Sequence, residues 1–311
     1  MEPSYIASRH PLVQLLFAIL ITLISFIVIS ILSLIPAIFL FHVPLASLTS
    51  ALDITNPDNI PLLKYLQITQ AFALFIIPPV VIGWFTTHNS WTYLEVDKKP
   101  DEKRAGLIFI ILISVMPFLN LLAKLNESMQ LPDILAGLER WMQRTEAQAG
   151  DMTTAFLTVN TFGGYLINIF MIALLPAFGE EFFFRGVLQK LMIKWFRNPH
   201  WAILITAIVF SAFHMQFYGF LPRLVLGLLF GYLVFWSGNL WYAIIAHFIN
   251  NFLPVTATYI SPERFSPDQL EQLGSGPSAW LWAFPATLIA VGAIYYFYQK
   301  TKTVVQDECA N

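Results

Sequence analysis

The sequence predicts an all-α fold: a polytopic bundle of about eight transmembrane helices that forms a single integral-membrane domain over residues 1–311. Hydrophobic residues make up 57% of the chain and charged residues only 12%, whereas soluble domains carry about 25% charged residues. Apolar runs long enough to cross a bilayer recur along the chain. They lie at Leu12–Phe41, Tyr65–Phe85, Ala105–Leu122, Ala155–Phe178 (continuing through Phe196), Trp201–Phe213, Pro222–Phe235, Leu240–Tyr259 and Trp280–Tyr298.

Composition also excludes several classes of protein. The formal net charge of −2 indicates neither a nucleic-acid partner nor an acidic substrate. Cys309 is the only cysteine, which rules out a disulfide framework and a cysteine metal site. The first apolar run is about twice as long as the hydrophobic part of a signal peptide, so it is interpreted as an uncleaved first span. The partners expected from composition are therefore the lipid bilayer and no nucleic acid.

The distribution of positive charge predicts the orientation of the chain. The larger share of the lysines and arginines falls on one side if the spans alternate: Arg9, Lys98, Lys99, Lys103, Arg104, Lys190, Lys194, Arg197, Lys300 and Lys302. Because positive residues collect on the cytoplasmic side, both termini are predicted to be cytoplasmic. A multi-pass protein of the cell membrane is expected.

One long loop carries its own helical pattern. Leucines, a tryptophan and charges recur at roughly helical spacing between Ile134 and Arg144. The pattern fits an amphipathic helix on the membrane surface and equally an ordinary loop helix.

Three of the predicted spans contain polar residues that are costly in a bilayer. Such groups cost several kcal/mol in a span unless they are paired or hydrated. They are Glu180, Glu181 and Arg185 in the fourth span, His214 at the end of the fifth, and His247 with Asn250 and Asn251 in the seventh.

Spacing separates the two glutamates. Glu181 and Arg185 are four residues apart, so they share a helix face and can form an ion pair. Glu180 is rotated by about 100° and needs another partner. From the helical rise, Glu180, the histidines and Asn251 lie roughly 10–20 Å from the cytoplasmic ends of their spans. One polar cavity that opens to the cytoplasmic side is therefore predicted.

The residue types indicate hydrolysis of an acyl bond. A glutamate without its own cation in an apolar wall can serve as a general base, and a histidine beside it can share the proton of an attacking water. A second histidine and an asparagine amide can donate hydrogen bonds to an oxyanion. Each residue also has a purely structural interpretation: an intramembrane ion pair for Glu181 and Arg185, a hydrogen-bonded core histidine for His214 or His247, and interhelical packing for Asn251.

The three motifs together resemble the CPBP family of intramembrane proteases, which includes type II CAAX prenyl endopeptidases and bacteriocin-processing, Abi-like self-immunity proteins. The family pattern EExxxR, FxxxH and HxxxN is matched by Glu180 to Arg185, by Phe210 to His214 and by His247 to Asn251. The resemblance covers about Ala155 to Leu253, and the catalytic core is expected at residues 155–253.

The resemblance implies a mechanism of peptide-bond hydrolysis. Glu180 and His214 would activate a water, His247 and Asn251 would form the oxyanion hole, and Glu181 and Arg185 would support the site. The substrate would be a membrane-associated or lipidated peptide or protein. Metal-free catalysis is favoured, so no cofactor is expected; the alternative is a zinc metalloprotease with Glu180, His214 and His247 as ligands.

Two other functions compete with the endopeptidase. A non-catalytic membrane scaffold or self-immunity protein could bind a peptide in the same cavity. A proton-coupled transporter could use the glutamates and histidines as a relay, but it would be expected to carry internal repeats, and none is visible.

Overall fold

The computed structural model describes residues 5–43, 51–129, 131–265 and 279–309. These residues form helices joined by short connections, with no strand among them. We number the helices α1 Pro11–Phe41, α2 Pro57–Thr87, α3 Ser90–Tyr93, α4 Glu102–Glu127, α5 Ala136–Leu157, α6 Phe162–Phe196, α7 Pro199–Phe213, α8 Phe220–Ser237, α9 Trp241–Ile260 and α10 Ala279–Cys309.

Seven of the described helices are long and apolar enough to cross a membrane, namely α1, α2, α4, α6, α8, α9 and α10. The eighth predicted span, α7, is apolar but has only 15 residues. Each predicted span therefore corresponds to one helix, which confirms an all-α, multi-pass membrane bundle.

Two predicted boundaries are wrong. Ala155 belongs to α5, because the chain leaves the helix after Leu157 and the Thr161 hydroxyl caps the start of α6 by accepting the Gly164 N–H at 3.1 Å. The second span begins at Pro57 instead of Tyr65, because Lys64 is buried within the helix. The Lys64 ammonium donates to the Phe156 carbonyl at 2.9 Å and to Asn168 Oδ1 at 2.7 Å, so a charge just outside the predicted span is satisfied inside the protein.

The helix predicted in the long loop is present as α5. Its Trp141 ring lies 5.3 Å from the Phe217 ring, and Glu146 Oε2 accepts the Tyr218 N–H at 3.2 Å. Leu138 and Trp141 remain exposed. The helix therefore packs on the connection between α7 and α8, while its placement on a membrane surface stays a prediction.

Hydrogen bonds between connections define two ends of the bundle. At one end, which we call the Lys98 end, the Asn239 amide donates to the Lys98 carbonyl and the Asp101 N–H donates to the Tyr242 hydroxyl, both at 3.0 Å. At the other, the Glu127 end, the Asn126 side chain bonds the Phe217 carbonyl and the Leu221 N–H. The buried core between them is built mainly from α4, α6, α8, α9 and α10.

Two cavities lie at opposite ends of the bundle, one lined mainly by α4, α8 and α9 and the other by α6, the start of α9 and the connection before α4. The Glu127-end cavity, of about 640 Å³, is lined by Met116, Leu119, Asn120, Ala123, Glu127, Glu146, Tyr218, Gly219, Pro222, Arg223, Leu226, Asn250, Leu253, Pro254, Ala257 and Phe265. The aromatic cavity, of about 540 Å³, lies at the Lys98 end and is lined by Asn89, Trp91, Val96, Asp97, Phe178, Phe182 and Trp241. The larger of these two cavities thus lies away from the Lys98 end, and none of the predicted catalytic residues lines either of them.

Candidate active site

The glutamate motif lies where α6 changes its helical geometry. Residues Leu175–Glu181 are α-helical, and the flanking segments Ile169–Leu174 and Phe182–Gln189 are π-helical. Wide turns of this kind inside α-helices are frequent at functional sites. The sequence does not predict them, but Glu180 and Glu181 keep their α-helical offset and therefore point to different faces.

Gly179 lets α6 approach α2 closely at this point. A Cβ atom on Gly179 would lie 2.8 Å from Phe75 Cβ, closer than real side chains approach. The Phe75 ring in turn contacts the rings of Phe183, Phe184 and Phe213. Phe183 and Phe184 follow Glu180 in α6, so these contacts pack the segment after the glutamates against α2.

Glu181 and Arg185 form the predicted ion pair. Arg185 Nη1 lies 2.8 Å from Glu181 Oε1, and both side chains are fully buried. The guanidinium also donates to the Gly227 carbonyl at 3.0 Å and stacks over the Phe210 ring at 4.5 Å and the Phe230 ring at 5.4 Å. Protein groups thus surround the charge that is costly in a bilayer.

Sequence reasoning missed the partner that α8 supplies. Gln189 donates to the Gly231 carbonyl at 3.1 Å, one turn below the bond from Arg185 to Gly227. The sequence contains a signal for this contact. Arg185 and Gln189 are four residues apart, and so are Gly227 and Gly231, the two glycines of a GxxxG motif in α8. A Cβ on Gly231 would lie 2.7 Å from Gln189 Oε1, so the glycines permit the close approach that these bonds require.

Glu181 has a second partner that the sequence does not reveal. Its Oε1 lies 2.8 Å from His247 Nδ1. An ionised carboxylate only accepts hydrogen bonds, so Nδ1 carries the proton of this bond. His247 is only 5% exposed in its side chain, and its ring stacks on the Phe230 ring at 5.4 Å. Glu181 therefore fixes the His247 ring with Nε2 towards Glu180.

Glu180 lies between the two histidines. Its Oε2 is 3.9 Å from His214 Nε2 and 3.9 Å from His247 Nε2. Both distances exceed a direct hydrogen bond, and this oxygen has no hydrogen-bond partner among the described residues. The Glu180 side chain is 16% exposed and that of His214 is 27% exposed. The unpaired glutamate predicted from the sequence is thus found with both predicted histidines.

His214 is held from its other nitrogen. It caps the end of α7, and its Nδ1 lies 2.9 Å from the Phe210 carbonyl. A carbonyl can only accept, so Nδ1 carries the proton and a neutral His214 presents an acceptor at Nε2. The FxxxH motif therefore supplies both the ring that contacts Arg185 and the carbonyl that orients His214.

Asn251 makes contacts that the sequence does not specify. Its Nδ2 donates to the Ile172 carbonyl at 3.0 Å, in the first π-helical segment of α6, and its Oδ1 accepts from Asn250 at 3.0 Å. The bond to Ile172 joins α9 to α6 about two helical turns before Glu180 along the chain. An amide nitrogen has two hydrogens, and the bond to Ile172 uses one of them.

The same residues can be compared with the donor set of a zinc site. Zinc bonds of about 2.0–2.1 Å in a tetrahedral site place ligand atoms about 3.3–3.4 Å apart. The separations from Glu180 Oε2 to both histidines are wider, and the described residues contain no group of three or more His, Cys, Asp or Glu side chains with the geometry of a metal site. As they stand, Glu180, His214 and His247 do not fit a tetrahedral zinc ion.

The three motifs fall together in one cluster on α6, α7 and α9, and this arrangement agrees with a family comparison. Residues 162–253 match the family model of the Rce1-like type II CAAX prenyl endopeptidases. The match confirms the resemblance seen in the sequence and covers α6 to most of α9, while α1 to α5 and α10 lie outside it. No curated protein and no solved structure matches the chain. The match supports a membrane protease as the general class of the protein.

Proposed function

We propose that this protein is an endopeptidase that hydrolyses a peptide bond within the membrane with a water molecule activated by Glu180. The observation that carries the proposal is the position of Glu180 Oε2, 3.9 Å from the Nε2 atoms of His214 and His247. Two hydrogen bonds of about 2.8 Å that meet at about 90° span this distance. One water can therefore contact the carboxylate and a histidine together.

The proton path follows from the hydrogen bonds of the ring nitrogens. The water oxygen attacks the carbonyl carbon of the scissile bond, and its proton passes to Glu180, assisted by the Nε2 acceptor of His214. The same proton then passes to the leaving amine as the carbon–nitrogen bond breaks. General-base catalysis of this kind contributes about 10²–10⁴-fold to the rate.

The oxyanion is stabilised from α9. His247 can donate to it from Nε2 when both ring nitrogens carry protons, and the Glu181 carboxylate on Nδ1 stabilises that charged ring. Asn251 can donate with the amide hydrogen that does not bond Ile172. Donors fixed in advance at the position of the developing charge are the effective form of such stabilisation. Glu181 and Arg185 are positioning residues in this scheme.

We propose that the reaction needs no metal ion. The separation of 3.9 Å between Glu180 Oε2 and each of the histidine Nε2 atoms supports this. The experiment is proteolysis by membranes before and after treatment with a zinc chelator. We expect unchanged activity, and a loss that added zinc restores would contradict the proposal.

The decisive experiment compares peptide termini in membranes from cells that carry wild-type protein or the Glu180→Gln variant. The substitution keeps the shape of the side chain and removes the base. We expect specific new termini with wild-type protein and a reduction of about 10²–10⁴-fold in the variant. Glu102→Gln, at the exposed start of α4, is the matched control and should behave as wild type.

Identical profiles from a folded, abundant Glu180→Gln variant would contradict the protease. A peptide-binding scaffold or self-immunity protein would then explain the cavity, and its function would survive Glu180→Gln.

A further inference from the structure

Lys64 is a buried cation of α2 that has no charged partner among the described residues. The residue is only 8% exposed, and its Nζ donates to the Phe156 carbonyl at 2.9 Å and to Asn168 Oδ1 at 2.7 Å. Both acceptors are neutral, and so is the Phe156 ring, whose centre lies 5.9 Å from Nζ. The ion pairs formed within the described part of the chain do not include Lys64. Because a buried charge without a counter-charge is costly, these neutral contacts leave the charge itself unexplained.

The joint between α2, α5 and α6 does not require a charge. Phe156 lies in the last turn of α5, where helical carbonyls lack an intrahelical partner, and Asn168 Nδ2 also donates to its carbonyl, at 2.8 Å. A neutral donor such as a glutamine amide could make the same two bonds that Lys64 makes. An ammonium group has three hydrogens, and the third has no acceptor among the described residues. The structure of the joint therefore leaves both a charge and a donor available.

A cavity of about 780 Å³, which we call the Lys64 cavity, reaches this lysine. It lies where α1 ends, where α2 begins and where α5 is connected to α6. Its volume is within the range of about 300–1,000 Å³ that is usual for small-molecule sites. Lys64 is the one charged residue in a lining that is otherwise mainly apolar: Phe41, Ile54, Pro57, Ile60, Pro61, Tyr65, Ile68, Ala155, Thr158, Val159 and Ile167.

The depth of Lys64 corresponds to the inner edge of the lipid headgroups. The 31 residues of α2 make a helix about 46 Å long at about 1.5 Å per residue. The hydrocarbon core of a bilayer is about 30 Å thick, so a centred α2 extends beyond it by about 8 Å at each end. Lys64 comes seven residues after Pro57, about 10 Å along the helix. Its ammonium thus lies near the level where charged headgroup oxygens meet acyl chains, whichever leaflet this end faces.

We propose that the Lys64 cavity binds an anionic lipid. A charged oxygen of the lipid accepts the third hydrogen of Lys64 Nζ, and an acyl chain lies against the apolar lining. The phosphodiester of an acidic phospholipid and the carboxylate of a fatty acid share this chemistry, which is one negative charge beside a long apolar chain. Basic pockets between transmembrane helices bind anionic headgroups in this way. The lining contains no residue of the Glu180 cluster, so the proposal does not depend on proteolysis.

The first test counts bound lipid by native mass spectrometry of the full-length protein in a neutral detergent. The probes are dioleoylphosphatidylglycerol, oleate and dioleoylphosphatidylcholine, the last of which has the same chains but no net charge. We expect one tightly bound equivalent of phosphatidylglycerol or of oleate, and the tighter of the two identifies the headgroup. Equally tight binding of phosphatidylcholine, or no bound equivalent of either anionic probe, would overturn the proposal. Equally tight binding of glycerol 3-phosphate would show a site for a free anion and would overturn the role of the acyl chain.

The second test removes the charge. Lys64→Met keeps the length of the side chain, and Lys99→Met, at an exposed lysine in the connection before α4, is the matched control. Loss of a hydrogen bond to a charged group should raise the apparent dissociation constant of the tighter anionic probe by about 10–100-fold in Lys64→Met. Lys99→Met should bind as wild type does. Unchanged binding by Lys64→Met, or an equal loss in both variants, would overturn the pairing with Lys64.

The third test fills the cavity and leaves the lysine in place, so it also applies if Lys64→Met does not fold. Ala155→Trp places a large ring in the lining of the cavity, and Thr154→Trp, at the exposed neighbouring residue outside the lining, is the matched control. We expect the affinity for the anionic probe to fall at least tenfold in Ala155→Trp and to stay at the wild-type value in Thr154→Trp. Equal affinities of the two variants would overturn the assignment of the lipid to this cavity.

Discussion

Glu180 and Glu181 are consecutive residues of α6, but they face two different regions of the bundle. Glu181 faces α8 and α9, where Arg185 and His247 both contact its Oε1 at 2.8 Å and where it is fully buried. Glu180 faces the gap between the end of α7 and α9, where His214 Nε2 and His247 Nε2 lie 3.9 Å from its Oε2 and some exposure remains. The two glutamates have the same chemistry, but Glu181 is held by direct hydrogen bonds, whereas Glu180 Oε2 has none.

The difference shows what a buried carboxylate needs in order to remain reactive. A carboxylate that is paired with a guanidinium and an imidazole is committed to those partners, since an unpaired buried charge is costly. A carboxylate whose neighbours lie just beyond hydrogen-bond distance keeps its lone pairs for a water and a substrate. The contacts of Glu181 therefore stabilise the fold, whereas the position of Glu180 supports its proposed role as the general base.

The largest effect on stability is expected for Arg185→Met. The substitution leaves Glu181 buried without its cation, and loss of one partner of a buried pair costs about 3–5 kcal/mol. The free energy of unfolding, measured in detergent micelles by chemical denaturation, should fall by that amount. The control is the double variant Glu181→Gln/Arg185→Met, which removes both charges and should recover part of the loss. A single variant as stable as wild type would show that the pair is not an anchor.

A smaller effect is expected where α8 approaches α6. In Gly231→Ala the new Cβ meets Gln189 Oε1 at 2.7 Å and Ile203 Cγ2 at 2.8 Å, and overpacking of this kind costs about 1–3 kcal/mol. Gly106→Ala is the matched control, because a Cβ there meets nothing within 4 Å and alanine is the better helix former. The melting temperatures of the two variants should shift in opposite directions. Equal shifts would mean that the contact between α6 and α8 is looser than these distances indicate.

The smallest effect on stability is expected for Glu180→Gln. Glu180 Oε2 has no hydrogen-bond partner among the described residues, so loss of its charge should change the free energy of unfolding by less than about 1 kcal/mol. The same denaturation measurement applies, with Glu181→Gln beside it. A loss at Glu180→Gln as large as that at Glu181→Gln would remove the distinction between the two glutamates and favour a structural role for both.

Local spacing explains why part of the site could be predicted. The bond between Glu181 and Arg185 depends only on residues one helical turn apart, and the rotation of Glu180 away from them needs no other element. His247 as the second partner of Glu181 depends on how α9 packs against α6, which no local pattern encodes. The spacing of Gly227 and Gly231 in α8 predicts close packing against another helix. The structure shows in addition that Arg185 and Gln189 donate to the carbonyls of these glycines.

Buried charge explains the error at the second span. The predicted span begins at Tyr65, directly after Lys64, and a lone lysine is unfavourable in hydrocarbon. The Phe156 carbonyl and Asn168 satisfy it from distant parts of the chain, and the helix begins at Pro57, eight residues before the predicted start at Tyr65.

The sequence by itself determined the class of the protein, its eight apolar helical segments and the residues of the three motifs. Hydrophobic length and low charge predict the class and the spans, and i,i+4 spacing predicts the pair of Glu181 and Arg185. All of these are properties of residues that are close together in the chain. The tertiary structure alone decided that Glu181 holds His247 and that Glu180 Oε2 lies 3.9 Å from the Nε2 atoms of both histidines. These features depend on contacts between α2, α6, α7, α8 and α9, and such contacts are fixed only when the apolar faces of all the helices pack together.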